Sequence, residues 1–129
     1  MMSNQIEPSR KKIMIVEDNL ELRRLMRLTL AAHFTVLQAS SGEQALDIVN
    51  QQCPDAVLLD VMLGGEPDGI EVLRRLRSTP GIVQPVVIMV SARGLTTDIE
   101  SARALGADDY FTKPFNPLLL ADRVSQLLN

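Results

Sequence analysis

Asp55-Ala56-Val57-Leu58-Leu59-Asp60 is the stretch that decides how this chain folds. Four apolar residues between two aspartates fall far short of the ~20 that a membrane helix needs. They fit a strand buried on both faces, as in a parallel sheet. Asp60 stands where such a strand ends. In open α/β sheets, ligands bind in the crevice outside the carboxyl ends of the strands, so a carboxylate there faces that crevice and not the core.

The flanking segments repeat the pattern. Toward the amino terminus, Ile13-Met14-Ile15-Val16 lies in a strand over 11–16 that stops at Glu17-Asp18. Asp18 or Asn19 can cap the next helix. Leu22, Leu25, Met26 and Leu30 recur at helical spacing over 20–32. Residues 34–39 read as a strand. Ser41 and Gln44 have capping-box spacing for a helix to about residue 52, which Pro54 breaks.

Toward the carboxyl terminus, Gly64-Gly65-Glu66-Pro67 is a loop by composition. Asp68 and Glu71 have capping-box spacing for a third helix with Ile70, Leu73 and Leu76 inward, ended by Pro80-Gly81. A strand over 85–90 terminates at Ser91. Thr97 and Glu100 are expected to start a fourth helix that stops at Gly106. A short fifth strand begins over 109–111 and ends near Lys113-Pro114. Asn116 then caps a last helix with Pro117 at its first position.

Five strands alternate strictly with five helices. That predicts an α/β fold, doubly wound, with helices on both faces of a five-stranded parallel sheet. In the flavodoxin-like order 2-1-3-4-5, strands one and three are neighbours at the topological switch point. Residues 1–10 read as a flexible arm and residues 11–129 as one domain, with no second domain following in this chain.

Composition narrows the function classes. The 129 residues are 46% hydrophobic and 22% charged, which is globular rather than disordered. A net charge of −3 argues against direct nucleic-acid binding by this domain, which would call for a basic face. The short basic groups at 10–12, 23–24 and 74–75 read as solvated surface. The single cysteine, Cys53, cannot form an internal disulfide and reads as a structural residue before Pro54. With no membrane-length apolar run and no signal-peptide core, the expected location is cytoplasmic, with no membrane partner. His33, without acidic or cysteine neighbours, reads as a surface residue, and the six methionines as aliphatic packing.

The strand ends deliver a set of groups to one edge. The first brings Glu17 and Asp18, the third Asp60, the fourth Ser91 and the fifth Lys113. Three carboxylates in one crevice repel one another, and a hard divalent cation removes that penalty. Oxygen ligands without His or Cys point to Mg²⁺, with Mn²⁺ as the alternative. A carboxylate beside such an ion can attack phosphorus. Lys113 offers a point positive charge, and Ser91 a hydroxyl, to the phosphoryl oxygens.

These pieces resemble the receiver domain of a two-component response regulator. The resemblance is carried by Ile-Met-Ile-Val-Glu17-Asp18-Asn19, Val-Leu-Leu-Asp60-Val-Met, Val-Ser91-Ala92 and Gly106-Ala107-Asp108-Asp109-Tyr110-Phe111-Thr112-Lys113-Pro114-Phe115, over nearly the whole chain. It implies that Asp60 accepts a phosphoryl group from a phosphohistidine on a sensor histidine kinase or phosphotransfer protein. It implies that Glu17, Asp18, Asp60 and the backbone carbonyl of Met62 hold Mg²⁺. Ser91 and Tyr110 would form the switch pair, the Lys113-Pro114 peptide would be cis, and Met62 and Arg93 would tune dephosphorylation toward a persistent phosphoryl form. The protein would then be a phosphorelay switch and not an enzyme acting on other substrates.

Output would come through the face of the fourth helix, fifth strand and fifth helix, toward a downstream protein or a second copy. Leu118, Leu119, Leu120, Val124, Leu127 and Leu128 exceed one inward stripe, whereas the fourth helix has only Ile99, Ala102 and Leu105. One departure from the family pattern is Gly64, which takes the place of a usual proline in a turn that reads one residue longer. Three rival readings each require residues of their own. An aspartate-nucleophile phosphatase would want a second aspartate at 62, where Met stands. A flavin module would want a glycine- and hydroxyl-rich loop at 17–18. A degenerate receiver acting as a constitutive binding module would lack the key acids.

Overall fold

The structure, a computed structural model, describes residues 10–129. Its elements run β1 (Lys12–Val16), α1 (Leu20–Leu30), β2 (Thr35–Ala39), α2 (Gly42–Gln52), β3 (Ala56–Asp60), α3 (Gly69–Ser78), β4 (Val86–Ser91), α4 (Thr96–Ala104), β5 (Asp109–Thr112) and α5 (Pro117–Leu128). The sheet is parallel throughout, in the order β2-β1-β3-β4-β5. The doubly wound expectation therefore holds. Residues 1–9 of the expected arm lie outside the described residues. Arg10 is docked, its guanidinium donating to the Ala31 carbonyl at 3.0 Å.

The central strands carry continuous apolar runs because both their faces are covered. Every residue of β3 is buried. Met14, Val16, Val57 and Leu59 pack on one face under α2 and α3, against Val49, Leu73 and Leu76. Ile13, Ile15, Leu58 and Ile88 pack on the other, against Met26 and Leu30 of α1 and Leu120 and Val124 of α5. The sheet thus has two aliphatic cores, and the pleat assigns alternate residues to each. Asp55, the first residue of the opening stretch, precedes β3, where its carboxylate accepts the Lys12 N–H at 2.8 Å.

Helix starts follow side-chain chemistry with two revisions. Asn19, Ser41, Asp68 and Asn116 each accept a first-turn N–H. The boxes close only in part. Gln44 reaches the N–H of Ser40, at 2.8 Å, and Glu71 turns to Arg74 and Arg75 at 2.8 and 3.0 Å. Thr97 does not cap α4. The cap position lies two residues earlier, at Leu95 and without a side-chain cap, because the Leu95 carbonyl takes the N–H groups of Asp98 and Ile99 at 2.9 and 3.1 Å.

Cys53 does stand at a structural position before Pro54, the end of α2. It is exposed, with φ 49°, and ends α2 in the left-handed region. Gly106, at φ 107°, ends α4 in the same region, as expected of a C′ glycine. Leu25 falls on an exposed face of α1, and Arg23 is more than solvated surface, since it donates to the Glu17 carbonyl at 2.8 Å.

Candidate functional site

The parallel strands bring their carboxyl ends to one edge. Val16 is level with Leu59, and Asp60 with Val90. Glu17, Asp18 and Asp60 therefore meet, each offering an oxygen within 4.8 Å of the others. Glu17 and Asp60 are buried and Asp18 is exposed, so the cluster opens to solvent at one corner. A set of three carboxylates with one open side fits a hard divalent cation better than a structural ion pair network.

Lys113 reaches in from the end of β5. Its ammonium donates to Glu17 Oε1 at 2.9 Å and to Asp60 Oδ2 at 3.2 Å. Burial pushes the Glu17 carboxyl above its usual range. The hydrogen bonds from Lys113 and the Asn19 N–H pull against this, and the charge of Asp60 adds to it. For Lys113, burial alone would lower the ammonium value. The Glu17 hydrogen bond and the charges of Asp60 and Glu17 together outweigh that, leaving it above the usual lysine range.

Main-chain donors hold the remaining oxygens. The Met62 N–H donates to Asp60 Oδ1 at 2.9 Å, and the Gly64 N–H donates to Asp18 Oδ2 at 3.1 Å. The Gly64 contact lies in the unusual turn, which the sequence left without a path. That turn contains Gly65 at φ 79° and a cis Glu66–Pro67 peptide. It leads directly into α3, where Gly69 packs so closely that an added Cβ would lie 2.0 Å from the Asp60 carbonyl oxygen. The Lys113–Pro114 peptide is also cis.

Ser91 is fully buried at the end of β4, and its Oγ accepts the Arg93 N–H at 3.1 Å. Tyr110 is half-buried on β5 and its hydroxyl donates to the Arg93 carbonyl. Met62 is 57% exposed and Arg93 has a 61% exposed side chain, so both stand at the rim. His33 is exposed and far from these strand ends in the fold, on the turn before β2.

Two charged residues of consequence were not singled out in the sequence. Asp109 joins α4, β5 and α5, with Arg103 at 3.8 Å and Arg123 at 2.5 Å. Asp98, in the first turn of α4, takes Arg93 at 3.3 Å. Acids close to arginine in the chain are common, so sequence offered no signal for either. On α5, Leu118 and Leu119 are exposed, as the surplus of leucines suggested, and Leu118 lines a groove against α1. On α4 only Ala102 is buried. Among the described residues no helix is long and apolar enough to cross a membrane.

Comparison with known proteins agrees with this geometry. The family model of the response regulator receiver domain matches residues 13–125. The chain is 42% identical over 118 residues to the transcriptional regulatory protein CpxR of Escherichia coli K12, covering 91% of this chain and 49% of that protein. It is 38% identical over 124 residues to the probable transcriptional regulator ycf27 of Cyanophora paradoxa, covering 95% and 50%. The chain thus spans about half the length of these relatives. Among solved structures, a Francisella response regulator receiver domain matches with TM-score 0.85 at 28% identity, over 92% of this chain and 96% of that one. The BeF₃-activated receiver domain of Klebsiella pneumoniae RstA matches with TM-score 0.83 at 30% identity, over 92% and 99%. Fold, acid cluster and family match converge: the chain belongs to the response regulator receiver domains, the phosphoacceptor modules of two-component signalling.

Proposed function

We propose that residues 11–129 act as a phosphorylation switch in which Asp60 is the acceptor. The observation that carries this reading is the convergence of Glu17, Asp18 and Asp60, with Lys113 bridging the two buried carboxylates. Glu17, Asp18, Asp60 and the Met62 carbonyl would hold Mg²⁺. When bound, the ion neutralises the carboxylates and the equatorial phosphoryl oxygens.

The chain's own residues do the rest. An Asp60 carboxylate oxygen attacks phosphorus, forming an O–P bond. The P–N bond to the donor imidazole breaks, and its electron pair leaves with the imidazole. The Met62 N–H fixes the carboxylate, and the Lys113 ammonium, already placed between Glu17 and Asp60, follows the new negative charge. The Ser91 hydroxyl gives up its Arg93 contact to donate to a phosphoryl oxygen, and the Tyr110 ring follows. The donor is a histidine kinase or phosphotransfer protein. The surface that changes is that of α4, β5 and α5, presented to a downstream protein or a second copy. Support for that surface is the shallow seating of α4 and the Arg103–Asp109–Arg123 bridge across all three elements.

The test is intact mass after incubation with acetyl phosphate and Mg²⁺, for wild type and Asp60→Asn. One phosphoryl group gained by wild type alone, and lost on chelating the metal, is the expected result. No gain in either folded protein would sink the reading and leave a constitutive binding module. Light scattering of the phosphorylated form then distinguishes a dimer from a monomer that awaits a different partner.

A further inference from the structure

Arg93 stands at a junction that phosphoryl transfer by itself does not require. Its N–H donates to Ser91 Oγ at 3.1 Å, its carbonyl accepts from the Tyr110 hydroxyl, and its guanidinium donates to Asp98 Oδ1 at 3.3 Å. The two main-chain contacts join both switch side chains to one residue. The side-chain contact fastens that residue to the first turn of α4.

α4 depends on such a fastening. Leu95 supplies no side-chain cap, and Ala102 is the helix's only buried residue. Asp98 sits at the third helical position, where a carboxylate is favoured by the positive end of the helix dipole. Its Oδ2 is buried without a hydrogen-bond partner among the described residues. The ion pair is therefore single-pronged, although a guanidinium can fork onto two acceptors. A 61% exposed arginine held by one oxygen is weakly committed.

Arg93 and Asp98 line a cleft of about 630 Å³ together with Met62 and Tyr110. Val61 and Met62, the two residues that follow the acceptor, line the same cleft, so it opens next to the carboxyl end of β3. A phosphoryl group there carries roughly −1.5 to −2 charge and three acceptor oxygens. The Asp98 carboxylate offers one charge and one engaged oxygen.

We propose that Asp98 is a positioning residue that holds the Arg93 guanidinium over the first turn of α4 at rest, and that a phosphoryl group on Asp60 draws the guanidinium away, unfastening α4. This rests on the reading of Asp60 as phosphoacceptor. The exchange is of non-covalent partners alone.

The experiment is amide hydrogen exchange of residues 96–104 with Mg²⁺, before and after acetyl phosphate, in wild type, Asp98→Asn and the swap Arg93→Asp/Asp98→Arg. Before phosphorylation, Asp98→Asn should speed first-turn exchange roughly two- to fivefold, the scale of an exposed ion pair. The swap re-forms the pair but sets the arginine against the helix dipole, so it should recover part of the lost protection. After phosphorylation, wild type should exchange as fast as Asp98→Asn, with no added effect of the substitution. Unchanged exchange in resting Asp98→Asn overturns the latch. An equal speeding by Asp98→Asn in both states marks Asp98 as merely structural and overturns the release. If intact mass shows no phosphoryl adduct on wild type, the phosphoacceptor reading fails and the release falls with it, an outcome distinct from either exchange result.

Discussion

Asp60 is held from two directions, by the Met62 N–H on one oxygen and the Lys113 ammonium on the other. Met62 therefore supplies a main-chain donor, while its side chain, more than half exposed, offers nothing that could orient a water. Substituting Met62→Asn adds an amide at that rim. We expect it to shorten the phosphoryl lifetime several-fold, well short of the ~10²-fold that a fully positioned general base supplies. Loss of the adduct followed by mass spectrometry checks this. An unchanged rate would show that water is positioned elsewhere. Glu71 is a second residue whose environment is legible. Hydrogen bonds from Arg75 and Arg74 hold its carboxyl below the usual 4.5. A lowered folded-state value means that its contribution to stability is present above pH 4.5 and fades as pH falls through the lowered value. A carbon-detected NMR titration should show the low midpoint, and Arg75→Ala should raise it.

At the scale of elements, backbone geometry decides more than side-chain charge. Gly69 lets the start of α3 approach the end of β3, where a Cβ would lie 2.0 Å from the Asp60 carbonyl oxygen and 2.7 Å from Val61 Cα. Main chain cannot step aside as a flexible side chain can. Gly69→Ala should cost about 1–3 kcal/mol by overpacking and should also impair phosphoryl uptake, since the displaced residue is the acceptor. Urea denaturation and intact mass read the two effects. Cys53 is the reverse case. It occupies φ 49° where glycine would carry no Cβ strain. Cys53→Gly should stabilise the protein by about 0.5–1 kcal/mol, the left-handed penalty less the added chain entropy. A rise in the urea midpoint at constant slope checks it.

For the molecule as a whole, the acid cluster is a liability that a cation removes. Buried Glu17 and Asp60 and exposed Asp18 share a space less than 5 Å across, with Lys113 the one ion-pair partner among the described residues. Mg²⁺ should therefore raise the melting temperature of wild type, by the equivalent of about 2.7 kcal/mol when present at one hundred times its Kd. Asp18→Asn should fold normally, because Asp18 is exposed, and should lose most of this rise. Calorimetry with and without Mg²⁺ is the measurement. A rise of equal size in both proteins would place the ion elsewhere.

Much of this protein is written locally along the chain. Apolar runs such as 13–16 and 56–59 make strands buried on both faces, and Asn19, Ser41, Asp68 and Asn116 mark helix starts, because caps and burial depend on near neighbours in sequence. Strict alternation then leaves few topologies, and the right-handed crossover puts Glu17, Asp18, Asp60, Ser91 and Lys113 on one edge. What tertiary structure alone decided are the contacts between distant segments. The Gly64 N–H reaches Asp18 across 46 positions and Lys113 reaches Glu17 across 96, and neither partner carries a local mark of the other. The start of α4 belongs here too: Thr97 has the spacing of a cap, yet the Leu95 carbonyl begins the helix two residues earlier. Arg93 then holds Asp98, a role that only the fold, by lining one cleft with both and with Met62, could assign.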